Sequence, residues 1–279
     1  MDRSAILTQD QLQRKVRGAI HDNPTHHLSP QRTMLTKRIQ RKRKTQRPGK
    51  RAKRSINRLV ENDLIRRVSF DKYQDKVRSV YGGRKGALLS TCSALSLHMP
   101  LGEKLLRRRR FDLRGCKRIL DVGSGAGQIA GHLVKYADDD AQIVCSDLSG
   151  RMLDRARARL KDDSLTFVAA DVTQLPFGDA SFDCVTCGYM IEHLPDPRPG
   201  LAEISRVLAP GGRMLLLTTE DNFGGAWTSR LWCCRTYNRR ELRTICENLG
   251  LIWKNELWFT RVHKMFRAGG ICVEIEKAS

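Results

Sequence analysis

The segment Ile119-Leu-Asp-Val-Gly-Ser-Gly-Ala-Gly127 constrains the fold of this 279-residue chain more than any other feature of its sequence. An apolar run typical of a buried strand leads directly into Gly123, Gly125 and Gly127, and an amphipathic stretch follows at once. Glycines are needed where the backbone takes a positive φ or lies directly against a ligand. In open α/β sheets, ligands bind beyond the carboxyl ends of the strands at such crossovers. The segment therefore predicts a ligand site at the first strand-to-helix bend.

Strands and helices alternate along the rest of the chain. Short β-rich runs lie at 118–122, 142–146, 165–169, 182–187 and 213–218, with amphipathic stretches at 128–136, 149–160 and 200–208 between them. A further helix is predicted from Asn238 as its N-cap to Gly250 just beyond its end. Two strand-like runs, at 251–260 and 270–277, follow it. Alternation of this kind predicts a mainly parallel sheet with helices on both faces.

Charge divides the chain into two parts. Residues 1–118 carry a net charge of +23, whereas residues 119–279 carry a net charge of −2. Between Arg32 and Arg58 there are thirteen Lys and Arg residues and no acidic residue, which predicts a disordered basic tail over 1–60. A downstream start, at Met34 or later, is the alternative interpretation of this tail. The remaining residues are predicted to form N-terminal helices over 61–117 and an α/β domain over 118–279, and the arginines at 107–110 would end the last N-terminal helix.

The nine cysteines are scattered, and their pattern argues against a metal centre. Cys184 and Cys187 lie in a predicted strand, where residues three apart point to opposite faces and cannot ligate one ion. An odd number of cysteines is typical of buried thiols in a reducing compartment. No apolar run approaches the ~20 residues that a membrane-spanning helix needs. We therefore expect a cytoplasmic protein that is at most peripheral to a membrane, with no bound metal.

Acidic residues accompany three successive predicted strands. Asp121, two residues before the first glycine, disfavours an anionic pyrophosphate and favours a ligand that carries an ammonium and a sulfonium. Asp147, 20 residues after Gly127, is placed to accept both hydroxyls of a ribose, with helix capping as the alternative role. Asp171 and the backbone N–H of Val172 suit the adenine amino group and its neighbouring ring nitrogen, whereas an isolated Asp after a strand is usually a turn residue.

Six blocks of sequence occur in a recognisable order. They are D-V-G-S-G-A-G at 121–127 with the acid at Asp147, A-A-D-V at 169–172 followed by L-P-F at 175–177, S-F-D-C-V at 181–185, E-H-L-P-D at 192–196 and R-V-L-A-P-G-G at 206–212. Together these blocks resemble class I S-adenosylmethionine-dependent methyltransferases, in particular the small-molecule branch with a methyltransferase type 11 domain that includes ubiquinone and menaquinone biosynthesis enzymes. The resemblance is strong over residues 115–220. It implies a Rossmann-like, doubly wound sheet of seven strands, mostly parallel with one antiparallel strand.

The same resemblance implies roles for individual residues. Gly123, Gly125 and Gly127 would pack on the methionine part of S-adenosyl-L-methionine, and Asp121 would hold its amino group. Asp147 would bind the ribose and Asp171 with Val172 the adenine. Further positions implied by the family are Leu148 and Met152, which flank the ring, and Gly188 and Tyr189, which line the site near the methyl group.

Methyl transfer needs a general base only when the acceptor atom carries a proton at that moment. The candidates are His193, Tyr189 and Glu192, which follow the fourth predicted strand. His193 is favoured because an imidazole accepts a proton near neutral pH, but it is equally consistent with a loop residue that packs beside Pro195.

The acceptor pocket is predicted to form from the N-terminal helices and the segment Glu220–Tyr237, which contains Trp227 and Trp232. A mobile cover and simple core packing of these tryptophans are both consistent with the pattern.

Three functions are consistent with these features. The first is methylation of a small molecule, either quinone-like or lipid-like. The second is methylation of RNA or another nucleic acid, in which residues 32–58 would bind the phosphates. Against this function, the Asn-Pro-Pro-Tyr and Pro-Cys motifs of such enzymes are missing from the sequence. The third is a binding protein that the basic tail tethers to an anionic membrane or ribosomal surface.

Overall fold

The computed structural model describes residues 98–222, 234–266 and 270–279, together with positions 72, 75, 225 and 229. The predicted basic tail, and the predicted N-terminal helices before residue 98, lie outside these residues apart from positions 72 and 75.

Helices and strands alternate as the sequence predicts. The helices are α1 (His98–Arg107), α2 (Gln128–Tyr136), α3 (Gly150–Leu160), α4 (Pro197–Val207), α5 (Arg239–Glu247) and α6 (Arg261–Phe266). The strands are β1 (Arg118–Val122), β2 (Gln142–Asp147), β3 (Thr166–Ala169), β4 (Phe182–Gly188), β5 (Leu208–Thr218), β6 (Leu251–Glu256) and β7 (Ile271–Lys277). A single 3₁₀ turn, Ile191–His193, follows β4.

The seven strands form one sheet in the order β3-β2-β1-β4-β5-β7-β6. All pairs from β3 to β5 are parallel, whereas β7 is antiparallel to both β5 and β6. The chain order reverses between β1 and β4, so the crevice beyond the carboxyl ends of β1, β2 and β4 is where ligands bind in sheets of this kind. The predicted Rossmann-like topology, with one antiparallel strand, is confirmed.

Both faces of the central strands are buried. On one face, Leu215 and Leu217 of β5 join a hydrophobic cluster with side chains from α1, α2 and α3. Met214 and Leu216 are also fully buried, and alternation along the strand places them on the opposite face. There α4 packs against β5 and α5 against β6, and Ser205 Oγ donates a 2.8 Å hydrogen bond to the Leu249 carbonyl between these helices.

The described cysteines are all free and buried, which confirms the predicted packing role for these positions. Cys184 belongs to the cluster that covers one face of the sheet. Cys187 is also completely buried but lies outside that cluster, consistent with side chains three apart on a strand.

The predicted strand over 251–260 is too long. β6 ends at Glu256. Thr260 caps the start of α6, because its hydroxyl accepts a hydrogen bond from the His263 N–H. Leu257 and Phe259 are buried on either side of half-buried Trp258, and this alternation resembles a strand although the backbone has left the ladder.

The fifth strand begins earlier than the predicted run at 213–218, because the segment Pro210-Gly211-Gly212 lies within β5. β5 begins at Leu208, its register against β4 jumps between Phe182 and Cys184, and Gly211 has a φ of 71°. Within the described ranges, no helix has both the length and the apolar character that a membrane crossing requires.

Candidate functional site

The predicted glycine bend lies at the carboxyl end of β1. Gly123, Gly125 and Gly127 all have positive φ, between 55° and 78°, which side chains adopt only under strain. A Cβ on Gly123 would also lie 2.4 Å from Cγ of Met190. The Gly123 and Ser124 N–H groups both donate to the Ser146 carbonyl of β2, at 2.8 and 2.9 Å. The bend is therefore fixed between two strands, and the Met190 side chain fills the space that a side chain on Gly123 would need.

Asp121 lies inside β1, directly beneath this bend. Its side chain is buried, and Oδ1 accepts a 2.7 Å hydrogen bond from the Thr186 hydroxyl of the neighbouring strand. Oδ2 is also buried and has no hydrogen-bond partner among the described residues. Burial, reinforced by the charge of Asp147, raises the pKa of Asp121 to about 7, against two hydroxyl hydrogen bonds that lower it. An unpartnered carboxylate oxygen of this kind favours a cationic ligand group.

Asp147 ends β2 and lies against the same bend. Its Oδ2 accepts from the Gly125 N–H at 2.9 Å, and Oδ1 accepts from the Ser149 N–H at 2.8 Å. Burial raises the pKa of this carboxyl, while the two backbone donors lower it. Ser149 is the N-cap of α3, although its own hydroxyl makes no capping hydrogen bond. Asp147 thus holds both the bend and the start of α3, and each of its oxygens keeps a further lone pair for a ligand.

Asp171 lies in the loop after β3, two residues beyond the end of that strand. Its Oδ1 accepts from both the N–H and the hydroxyl of Thr173, at 2.8 and 2.9 Å, which is the geometry of an Asx turn. The Ala170 N–H donates to the Asp147 carbonyl, so the loop after β3 is joined to the end of β2. Val172 is buried against the Gly200 position of α4.

The other predicted cofactor positions surround the same loops. Met152 of α3 is buried, and its methyl carbon lies 3.7 Å from the point where a Cβ on Gly125 would be. Leu148 is half-buried between β2 and α3. Gly188 ends β4, where a Cβ would lie 2.2 Å from the Ile129 side chain of α2. Glycine at this position therefore lets the end of the Ile129 side chain pack directly against the backbone of β4, whatever else the position does.

The candidate bases differ sharply in their surroundings. Tyr189 has a φ of 54°, packs against the hydrophobic cluster, and burial raises its pKa well above the ordinary value of 10. Its hydroxyl keeps a proton at neutral pH and cannot accept another there. His193 ends the 3₁₀ turn with a half-buried side chain, and its N–H donates to the Met190 carbonyl.

The buried side chain of Glu192 links two elements of the fold. Its carboxylate is 4% exposed, and Oε2 accepts from the Thr218 hydroxyl at 3.0 Å and from the Thr219 N–H at 2.7 Å. The carboxylate therefore fastens the turn after β4 to the end of β5, which fixes the position of the adjacent His193.

Three further residues belong to this region and were not identified from the sequence. Thr186 contacts Asp121, and Met190 covers Gly123. Thr186 is the register partner of Asp121, so a known pairing of β1 with β4 would have located it. Arg239 forms a buried two-point ion pair with Glu220, at 2.9 and 3.0 Å, and this pair joins the start of α5 to the segment that follows β5.

Residues 120–216 match the family model described as a methyltransferase domain. A demethylmenaquinone methyltransferase from Deinococcus radiodurans is 46% identical over 103 residues, which are 36% of this chain and 42% of the relative. Another from Beutenbergia cavernae is 35% identical over 153 residues, 54% of this chain and 60% of the relative. The resemblance to class I S-adenosylmethionine methyltransferases, quinone-biosynthesis enzymes among them, is confirmed.

A solved structure with the same fold is the 1,6-didemethyltoxoflavin-N1-methyltransferase of Burkholderia thailandensis, which holds S-adenosylhomocysteine. It has a TM-score of 0.53 and 18% identity, and the match covers 74% of this chain and 87% of that one. At this identity the match establishes the fold alone. The chain spans roughly two fifths to three fifths of the length of the curated relatives it matches.

Proposed function

We propose that this protein is an S-adenosylmethionine-dependent methyltransferase that acts on a small, quinone-like or lipid-like acceptor. The observation that carries the proposal is the Asp121 carboxylate, buried beneath a glycine bend with one oxygen unpartnered by any described residue. Burying a carboxylate in this way is costly unless a cation or donor completes it. The ammonium group of the methionine part of the cofactor would supply that partner.

The remaining site residues fit the rest of this cofactor. Asp147 has lone pairs available for ribose hydroxyls while its backbone donors hold it in place. Asp171 is held by its turn with Thr173, and in this position it would bind the adenine amino group beside the Val172 N–H. Leu148 and Met152 would flank the ring, and Gly123, Gly125, Gly127 and Gly188 would allow close approach of the backbone.

The cofactor supplies an electrophilic methyl group on a sulfonium. The chain's own task is then to position the acceptor, exclude water and, where the acceptor carries a proton, receive it. Of the three candidate bases, we propose His193 for that last role. Tyr189 is protonated at neutral pH, and both hydrogen bonds made by Glu192 Oε2 serve to hold the turn.

We also propose the domain organisation that the sequence predicts: a basic tail over 1–60, a helical cap over 61–117 and the cofactor domain over 118–279. The cap and the segment Glu220–Tyr237 would enclose the acceptor. Support comes from the ends of that segment, since Glu220 and Tyr237 form an isolated parallel bridge that closes it into a loop beyond β5. Residues 32–58 would contact an anionic membrane or RNA.

Calorimetry with S-adenosylmethionine tests the cofactor assignment. Replacement of Asp147 by Ala removes two charge-assisted hydrogen bonds to the ribose, roughly 3–6 kcal/mol together, so we expect affinity to fall about a hundredfold or more. Asp154→Ala, on the exposed surface of α3, is the matched control and should bind as the unaltered protein does. Unchanged affinity in Asp147→Ala would show that the ribose lies elsewhere.

Transfer of a labelled methyl group tests the acceptor class. Lipid-phase and polar metabolite extracts, demethylmenaquinone and total RNA are each incubated with labelled cofactor and either the unaltered protein or Asp121→Ala. The proposal expects a labelled product in the lipid phase that Asp121→Ala fails to form. Label confined to RNA would favour nucleic-acid methylation, and label in no fraction would contradict the proposed activity.

A further inference from the structure

Helix α6 occupies a distinctive place between β6 and β7. β6 is antiparallel to β7, which is antiparallel to β5, so β6 runs in the same direction as β1. The connection after β6 therefore lies at the carboxyl edge of the sheet, the edge that carries the glycine bend and the acidic residues. Any surface that α6 presents is on the side of the molecule at which ligands enter.

This helix exposes large apolar side chains. Val262 and Met265 are 60% and 70% exposed, against 39% for Val134 and 40% for Ile252, the other exposed large hydrophobics of the described residues. A spacing of three residues places Val262 and Met265 on one face of the helix. Neighbouring apolar side chains that are both this exposed differ from the scattered single ones that are normal on a protein surface.

Exposed cations lie on the same helix and near its start. Arg261 and Lys264 alternate with them along α6 and are exposed. The run Arg107–Arg110 is exposed as well, and the Arg110 guanidinium donates a hydrogen bond to the Trp258 carbonyl, just before α6. No acidic residue occurs at 104–111 or 257–266. We call these arginines, Trp258 and the exposed residues of α6 the basic–apolar surface.

The basic–apolar surface is held in place by the core beneath it. The Leu257 N–H donates to the Cys272 carbonyl at 2.9 Å, and Phe259 is 2% exposed within the hydrophobic cluster. The Thr260 hydroxyl accepts from the His263 N–H at 3.1 Å and also lies 2.6 Å from its ring Nδ1. These contacts fix the position of the first turn of α6, the helix that carries the exposed apolar side chains.

We propose that the basic–apolar surface docks the protein on an anionic membrane, with the Met265 and Val262 side chains in the lipid interface. Exposed apolar side chains on a helix that also carries Lys and Arg match the interfacial region of a bilayer, where burial of apolar area and attraction to anionic headgroups act together. A nucleic acid would use the cations but leave the two apolar side chains in water. Docking by this surface turns the carboxyl edge of the sheet towards the bilayer, where a lipid-soluble molecule is found.

Sedimentation of the full-length protein with lipid vesicles tests this docking. The vesicles contain phosphatidylglycerol in phosphatidylcholine, and vesicles of phosphatidylcholine alone serve as the neutral comparison. One test variant, V262S/M265S, removes the apolar contact, and a second, R107Q/R108Q, removes two charges but leaves Arg110 on Trp258. Their matched controls are V134S/I252S and R118Q/K161Q, which change the same numbers of exposed apolar and basic residues elsewhere.

We expect the full-length protein to prefer anionic vesicles and V262S/M265S to bind them at least tenfold more weakly. Each charge removed in R107Q/R108Q should weaken binding on the order of fivefold, and less at high salt. Both control variants should bind within about twofold of the unaltered protein, because they leave this surface intact. Hydrogen exchange at 257–266 should slow on anionic vesicles.

Several outcomes would overturn the proposal. Absence of a preference for anionic vesicles would do so, as would test variants that sediment like their controls. Light scattering that shows a dimer dissociated by V262S/M265S would assign the surface to a second copy of the chain. Calorimetry with the cofactor should give unaltered affinity in every variant, which separates a failure of docking from a failure of the proposed methyl transfer or of folding.

Discussion

The burial, hydrogen bonding and pKa of Asp121 are determined by its place in the sheet. The sequence places an acid two residues before a glycine, but its burial, its hydrogen bond to Thr186 and its unpartnered Oδ2 all come from the neighbouring strands. Burial is the largest cause of a pKa near 7 instead of the ordinary 3.8. The group is consequently half-protonated near neutrality when no cation lies beside it.

This raised pKa predicts a pH-dependent affinity for the cofactor. Below pH 7 the Asp121 carboxyl is mainly neutral, and an ammonium group binds only its ionised form, so binding must expel a proton. We expect affinity for S-adenosylmethionine to rise between pH 5 and pH 7 by up to about tenfold for each pH unit. Calorimetry across this range, in two buffers of different ionisation enthalpy, measures both the affinity and the proton release.

Asp121→Asn is the control for that experiment, because an amide of the same shape does not titrate here. It should bind the cofactor more weakly at pH 7 and show little of the rise with pH. An equally steep pH dependence in Asp121→Asn would assign the titration to another group, such as a histidine.

At the scale of elements, the turn after β4 depends on a buried side chain that the sequence presented as a candidate base. Glu192 joins this turn to the end of β5 through the Thr218 hydroxyl and the Thr219 N–H. β4 and β5 are central strands of the sheet, and the turn between them carries Met190 over Gly123 and places His193 nearby. The carboxylate therefore holds in place the turn that carries Met190 and His193.

Replacement of Glu192 by Ala should destabilise the protein. The substitution leaves the Thr219 N–H buried without its acceptor and opens a small cavity, so we expect the free energy of unfolding to fall by about 2–4 kcal/mol in urea denaturation. Glu247→Ala is the control, since Glu247 is exposed on α5 and pairs with Arg243 a turn away; it should cost less than about 0.5 kcal/mol. Equal losses in the two variants would contradict the structural role of Glu192.

At the scale of the whole molecule, positive charge is concentrated in one part of the chain. Residues 1–118 carry a net charge of +23 and the α/β domain from residue 119 carries −2. Binding to RNA should therefore depend on the basic segment 32–58, and the α/β domain should contribute little to it.

A salt titration of RNA binding tests this division. The full-length protein should bind single-stranded RNA with an affinity that falls steeply with salt, by a slope of roughly 0.7 for each phosphate contacted. Removal of residues 1–58 should weaken binding at least tenfold at low salt, while calorimetry still detects the cofactor. Equal and negligible RNA binding by both proteins would remove RNA as a partner of the basic segment.

The sequence by itself determined the order and type of the elements. The prediction was accurate where a long hydrophobic pattern marked a helix or a capping side chain marked its start. The helix α2 was predicted at Gln128–Tyr136, as the structure has it. Asn238 caps α5 as expected, and its side chain accepts from the Arg240 and Glu241 N–H groups. The alternation of strands and helices, with two late strands, was enough to predict the layered sheet. Both follow from hydrophobic periodicity and side-chain capping, which are properties of neighbouring residues.

Only the tertiary structure decided what each polar side chain does. Glu192 and Asp121 are both acids near a predicted strand end. Glu192 accepts from two donors at the end of β5, whereas Asp121 keeps one oxygen that no described residue contacts by a hydrogen bond. The end of β6 and the exposure of α6 were likewise undetermined, because Leu257, Trp258 and Phe259 alternate in burial as a strand would. Burial and hydrogen bonding depend on residues far apart in the chain, so their outcome is fixed when the strands pair and the helices pack.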